Sequence, residues 1–472
     1  MSRNKNIGLI GPIGLILFVA GCAHYPLNAR LGRYDVQSGY RFQEFKADAT
    51  NSNSLLVCLA FSGGGTRAAA LSYGVLKKLA ALEIQWEGKK QRLLDEVDCI
   101  SSVSGGSFTA AYYALFGDRL FTAFPDRFLY RDIQGEILGR LWNPVNWFRL
   151  LSPHFSRIDL AAELYHTSVF EQKTFRDLLA ARRRPFLMIN ATNLGLGRRF
   201  EFTQDQFDAI GSDLADYPIA RAVASSSAFP FLLSPVSLKN HPQPSDYKTP
   251  SEYLNALKDY ERNRRRYEWA KNLVAYEDKA NRPFVHLMDG GLADNLGLRA
   301  IEESFRRGHI RDLINNGEIQ VLMVIVVNAR TDPPSDIEQR EAPPDLKTVA
   351  YKVATTSMDN YAFETVETTK ELHQARVQAQ RAITDCQDIL KKECPGARPI
   401  PRLAGELEPY VIEINFEGLT DNADRRNYFL SLPTSFGLSH QQVDELIAVG
   451  QELLARSPEF QRFMSDLSSR QR

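Results

Sequence analysis

The sequence predicts an α/β protein: a three-layer α/β/α sandwich about a mainly parallel sheet, with helical insertions. Two observations carry this expectation. Five runs read as buried strands, each followed by a helical pattern: LLVCLAF (Leu55 to Phe61), VDCISSV (Val97 to Val103), PFLMINAT (Pro185 to Thr192), FVHLMD (Phe284 to Asp289) and VLMVIVVNA (Val321 to Ala329). Runs this continuously apolar, without alternation, fit strands covered on both faces. The second observation is the placement of the smallest residues. Glycines and serines gather where strands give way to helices, at FSGGGTRAAALSYGVLKKL and at VDCISSVSGGSFTAAYYA.

The chain has 472 residues, and Lys plus Arg equals Asp plus Glu at 57 each, so no net field favours nucleic acid. At its start, Arg3 and Lys5 precede an uncharged apolar stretch from Ile7 to Ala20 that is short for a bilayer span and reads as a secretory signal. Its end, Val19-Ala20-Gly21-Cys22, resembles the lipobox of bacterial lipoproteins. That resemblance implies cleavage after residue 21, acylation of Cys22 and a lipid anchor in the cell envelope. Ala23 after the cysteine implies sorting to the outer membrane, facing the periplasm. An uncleaved anchor, or an ordinary signal with a chance cysteine, is the alternative.

Residues 22–53 are polar and mixed, and read as a tether. The expected core runs over 54–335. Within it, 121–175 is rich in aromatics with arginines interleaved, including Trp142 and Trp147, which suits a membrane interface, an acyl-chain pocket or the core of an insertion. Residues 239–282 turn polar and charged, with one exposed helix expected, and read as an insertion. Residues 336–472 are expected to complete the same domain with helices, among them a long amphipathic helix or helix pair over 355–394. A last helix over Ser439 to Ala455 opens with the cap signal LSHQQ. Cys58 and Cys99 fall inside apolar runs and read as buried small hydrophobes. Cys386 and Cys394 could form a local disulfide in an oxidising compartment, although eight positions along one helix cannot be bridged without bending it.

The chemistry-bearing pieces are four. A serine nucleophile stands on a sharp strand-to-helix turn that leaves room only for small residues two positions either side. Ser104 meets this condition, with Ser102 before it and Gly106 after it as the elbow positions. Gly63, Gly64 and Gly65 precede an Ala-rich helix, where backbone N–H groups and the helix dipole favour an anion. A phosphate loop would need Gly-Lys-Ser/Thr, and the chain reads GGGTRAA, so an oxyanion hole fits better. Arg67 either anchors this loop or attracts a lipid phosphate.

Asp289 ends a strand before Gly290 and Gly291; a carboxylate there either takes the proton of a nearby hydroxyl or holds the turn. The run ASSSAFPF (Ala224 to Phe231) reads as packing beneath the site, its hydroxyls satisfying backbone groups. Of eight histidines none carries a companion motif, and His286 falls on the strand face opposite Asp289.

GGGTR, SVSGG, ASSSAFPF and DGG in this order resemble the patatin-like phospholipase family over roughly Leu55 to Ile301. The resemblance implies a three-layer α/β fold and a Ser-Asp dyad without histidine: Ser104 as nucleophile, Asp289 as general base, Gly63, Gly64 and Gly65 as oxyanion donors, and Arg67 at the family's basic position. No cofactor or metal is implied. Ser102 departs from the family's usual glycine, while DGG is within its accepted pattern. The expected activity is hydrolysis of phospholipid or lysophospholipid esters. Its rivals are acyl transfer by the same dyad and a non-catalytic lipid-binding lipoprotein.

Overall fold

The computed structural model describes residues 23–47, 51–230, 232–333, 337–339, 341–399 and 407–469. The signal segment and Cys22 lie outside the described residues.

All five apolar runs are strands. With three more they build one sheet: β1 (Leu55–Phe61), β2 (Val97–Val103), β3 (Phe186–Asn193), β4 (Arg198–Glu201), β5 (Val236–Lys239), β6 (Phe284–Asp289), β7 (Val321–Val327) and β8 (Glu408–Ile414). The order across the sheet is β8-β7-β1-β2-β3-β6-β5, with β4 pairing β3 off this path. From β8 to β3 every pairing is parallel. Beyond β3 the direction reverses, and β6 runs antiparallel to both β3 and β5. Every residue of β1, β2, β3 and β7 is buried, as a sheet covered by helices on both faces requires.

Two helices fix the reactive end of the sheet. Helix α1 (Gly65–Ala80) leaves β1 and helix α2 (Gly105–Phe116) leaves β2. A third, α3 (Ile219–Ser226), runs beneath the corner they form. The expected long helix is a single element of 48 residues, α4 (Leu346–Glu393), capped by the Asp345 side chain on the Thr348 N–H. Helix α5 (His440–Arg456) begins with a capping box between Ser439 and Gln442, as its sequence predicts. It packs against α1 at two glycines. A Cβ on Gly450 would meet the Leu71 carbonyl at 2.6 Å, and one on Gly74 would overlap the Ile447 carbonyl.

Three expectations need correction, and one open alternative is resolved. The segment after residue 22 is not a free tether: Tyr40 and Phe45 are buried, and the Arg41 guanidinium bonds Asp205 and Asp208. Its polar composition hides this because the acids that pair with the buried Arg41 lie outside the segment, in the helix Gln204–Ala209. The C-terminal region is not only helical, since β8 extends the sheet beside β7. Cys58 and Cys99 are buried, but as a disulfide: they are directly opposed on β1 and β2, with Cα atoms 4.7 Å apart. Cys386 and Cys394 are free thiols on the exposed surface.

The aromatic segment divides between its readings. Phe124, Phe128, Tyr165 and Phe170 are fully buried, whereas Trp142 and Trp147 stand in solvent at 79% and 51% exposure. The charged insertion carries two helices, Ser251–Ala256 and Arg264–Val274. It packs beside the far edge of the sheet, where the Tyr276 hydroxyl accepts from Asn193, Glu268 pairs with Arg198, and Arg307 lies over the Trp269 ring.

Candidate active site

At the end of β2 the backbone turns through Ser104, whose φ of 49° and ψ of −120° are strained for a residue with a side chain. The strain is held from three sides. The Ser104 N–H donates to the Ser226 hydroxyl at 2.8 Å, and that hydroxyl donates onward to the Asn190 carbonyl at 2.6 Å. Gly106 is pressed against β1, where a Cβ would meet the Ser62 carbonyl at 2.7 Å. A Cβ on Gly105 would overlap the Gly65 carbonyl. Small residues at 105 and 106 are therefore a packing requirement as well as a turn requirement. Ser102 takes the other elbow position without difficulty: it is fully buried, with its hydroxyl directed to the Met188 carbonyl at 3.4 Å.

Asp289, at the end of antiparallel β6, reaches the same corner. Its carboxylate accepts the Gly291 N–H at 2.8 Å and lies near enough to the Ser104 hydroxyl for that group to favour its ionised form. The carboxylate holds the turn, as one of its two sequence readings expects, and lies on the same side as the serine. The side chain is 3% exposed, and burial pushes its pKa from 3.8 up to about 7, with the Gly291 and Ser104 hydrogen bonds pulling the other way. Its backbone is fixed as firmly: the Asp289 N–H donates to the Ala228 carbonyl at 3.0 Å and the Gly290 N–H to the Ser226 carbonyl at 3.1 Å. His286 lies on the other face of β6, bonded to Ser237 at 2.9 Å.

The glycine loop closes the third side. The Gly63 N–H donates to the Asn295 carbonyl at 3.0 Å and the Thr66 N–H to the Ser435 carbonyl at 2.9 Å. Among the described residues, no acceptor lies on the N–H groups of Gly64 and Gly65, whose φ angles of 136° and 60° belong to glycine. The expected trio of donors is therefore reduced to two, because Gly63 is committed to the loop that follows Asp289.

Arg67 is a structural anchor. Its guanidinium donates to the Ala329 carbonyl at 2.9 Å, the Leu432 carbonyl at 2.7 Å and the Thr434 hydroxyl at 3.0 Å. Burial pushes its pKa down to about 10. It fastens the 432–435 loop onto the glycine loop.

Two residues of this corner were not expected to shape the site. Ser226, expected only as packing, touches the nucleophile candidate's backbone and the acid's turn together. Met358, from α4, sits over the Asp289 turn, where a Cβ on Gly291 would overlap its methyl group. Tyr351, two turns earlier, meets the Phe229 ring at 5.9 Å. The long helix thus lies against the Asp289 turn and the loop that leaves α3.

The family model described as Patatin-like phospholipase matches residues 59–301, just over half of the chain. The chain belongs to that family, and so to the lipid-hydrolysing esterases. No curated protein matches it in sequence. Among solved structures it is similar to human GIVD cytosolic phospholipase A2, at 13% identity and a TM-score of 0.47, covering 99% of this chain and 68% of that one. The same human enzyme in complex with methyl gamma-linolenyl fluorophosphonate gives 12% identity and a TM-score of 0.42, over 98% of this chain and 64% of that one. With terbium chloride also present, the values are 13% and 0.41, with the same coverage.

Proposed function

We propose that the chain is a serine lipid acyl hydrolase of the phospholipase A or lysophospholipase type, acting through a Ser104-Asp289 dyad. The observation that carries this is the proximity of a strained corner serine to a desolvated carboxylate poised near neutrality. Ser104 Oγ attacks the ester carbonyl carbon while its proton passes to the Asp289 carboxylate. The negative charge that develops on the carbonyl oxygen is received by the Gly64 and Gly65 N–H groups at the positive end of α1, each such donor lowering the barrier by roughly 3–4 kcal/mol. The tetrahedral adduct collapses, and the departing alcohol takes the proton from Asp289. Water then attacks the acyl-serine as Asp289 accepts its proton, and the second adduct expels Ser104 Oγ, which takes that proton from Asp289 as the fatty acid leaves.

Acylation of Cys22 would hold this catalyst on an envelope membrane, the outer membrane by the residue at position 23. Among the described residues no helix is long and apolar enough to cross a bilayer, so none of them supplies an anchor of that kind.

The deciding experiment is covalent labelling with a fluorophosphonate probe alongside turnover of a phospholipid ester. Wild-type protein labels and hydrolyses, Ser104→Ala does neither, and Asp289→Asn loses on the order of 10²- to 10⁴-fold in kcat while remaining folded. Folded wild-type protein that neither labels nor hydrolyses any ester removes the reading, and an Asp289→Asn variant with full turnover removes the dyad.

A further inference from the structure

The helices Ile133–Leu141 and Pro144–Leu150 bury one side and leave the other apolar but uncovered. Ile133 and Ile137 face the core, while Leu138, Trp142, Val145, Trp147 and Leu151 are exposed. Leu138 and Trp142 stand one turn apart at the end of the first helix, and Val145, Trp147 and Leu151 follow on the second helix and its exit. Exposed tryptophans with aliphatic neighbours have the composition of a surface seated at the headgroup boundary of a bilayer.

Two independent contacts say what covers this surface. The first is the start of the described chain. The Ala23 carbonyl accepts from the Ser152 hydroxyl at 2.5 Å, the Tyr25 N–H donates to the His154 carbonyl at 2.8 Å, and the His24 and His154 rings stack at 4.8 Å. The chain is thus fastened to the very segment that carries the tryptophans. Cys22 immediately precedes Ala23, one Cα step or about 3.8 Å away. Acyl groups on Cys22 would therefore enter the lipid near this segment.

The second contact is with the site. Gln134, in the first turn of the first helix, bonds Phe436 in both directions, its N–H to the Phe436 carbonyl at 3.2 Å and its side-chain oxygen to the Phe436 N–H at 3.4 Å. Phe436 adjoins Ser435, the acceptor of the glycine loop. On the other flank, the Ile158 N–H donates to the Ser234 hydroxyl at 3.3 Å, in the loop that leaves α3 and exposes Leu232. The apolar face is braced to both walls of the Ser104 corner.

We infer that the Leu138–Leu151 face is a membrane-docking surface that orients the site toward the lipid into which the chain is anchored. The acyl groups supply attachment, and the tryptophan face supplies orientation, which a flexible linkage would leave free. This rests on the acylation of Cys22 and on the esterase reading above.

The test uses the full-length acylated chain reconstituted in vesicles of phosphatidylethanolamine and phosphatidylglycerol, doped with phosphatidylcholine brominated on its acyl chains. The chain has four tryptophans, of which Trp86 is buried in the fold and Trp269 lies under Arg307. Bromine quenches the emission of the wild-type chain, and Trp142→Phe with Trp147→Phe removes more than half of that quenching. Unquenched wild-type emission, or quenching that persists in full in the double variant, overturns the docking surface. Hydrolysis of a short soluble ester by the same samples separates the two readings. Hydrolysis without quenching retires the surface and leaves the esterase standing, whereas quenching without hydrolysis does the reverse.

Discussion

The Ser226 hydroxyl accepts the backbone N–H of Ser104 at 2.8 Å, while the carbonyl of the same residue accepts the N–H of Gly290. One serine on α3 thereby ties the strained corner of β2 to the turn that carries Asp289. These two strands are not neighbours, since β3 lies between them. Ser226 spans β3 at its end and fixes the corner of Ser104 relative to the turn of Asp289.

Ser226→Ala removes the acceptor of a buried N–H and leaves it unsatisfied, at a cost of about 1–3 kcal/mol. The expected outcome is a loss of stability of that size in denaturant unfolding. A fall in kcat larger than the rise in KM is expected with it, because the relaxed corner still binds lipid but misaims the hydroxyl.

The Asp289 pKa, raised by burial from 3.8 to about 7, sets two opposite pH dependences. Proton abstraction needs the carboxylate, so kcat/KM rises as pH increases through about 7. Stability runs the other way: a folded-state pKa above the unfolded value contributes stability that is complete below about 4 and lost as pH rises through about 7. Asp289→Asn, which mimics the neutral acid, should flatten this part of the stability profile in pH-dependent unfolding measurements.

The Cys58–Cys99 disulfide closes a loop of sequence separation 41 between adjacent parallel strands. The double variant Cys58→Ala, Cys99→Ala is expected to lose about 2–4 kcal/mol of unfolding free energy. Replacing Cys386 or Cys394, both exposed and free, should change stability by less than about 0.5 kcal/mol.

Arg67→Met strips the hydrogen bonds from two backbone carbonyls and a hydroxyl at once. Fluorophosphonate labelling should slow markedly as the 432–435 loop loosens from the glycine loop. Thermal melting should show a parallel drop, larger than that of an exposed Arg such as Arg157 changed to Met.

Much of this site is legible in the sequence because its constraints are local. A glycine that must clear a facing carbonyl, as at 105 and 106, and a strand buried on both faces, as at Val321–Val327, leave their mark on the residue itself. The rest depends on adjacency. Nothing in Cys58 or Cys99 alone reveals that β1 and β2 run side by side in the register that opposes them. Strand β8, EPYVIEI, begins and ends among charges and lies on the edge of the sheet, so it lacks the unbroken apolar run of its neighbours. Ser226 sits in a serine run that reads as packing, and only the position of its partner, more than a hundred residues earlier, separates it from Ser225 and Ser227.

The bond from the Thr66 N–H to the Ser435 carbonyl joins the first turn of α1 to a loop near the far end of the chain. A polypeptide made from its N-terminus holds Ser104 and Asp289 long before it holds Leu432, Thr434 and Ser435. The corner that holds both side chains is thus completed by the last part of the chain to be made, and a chain ending at Leu430 is expected to label more slowly with a fluorophosphonate than the full chain.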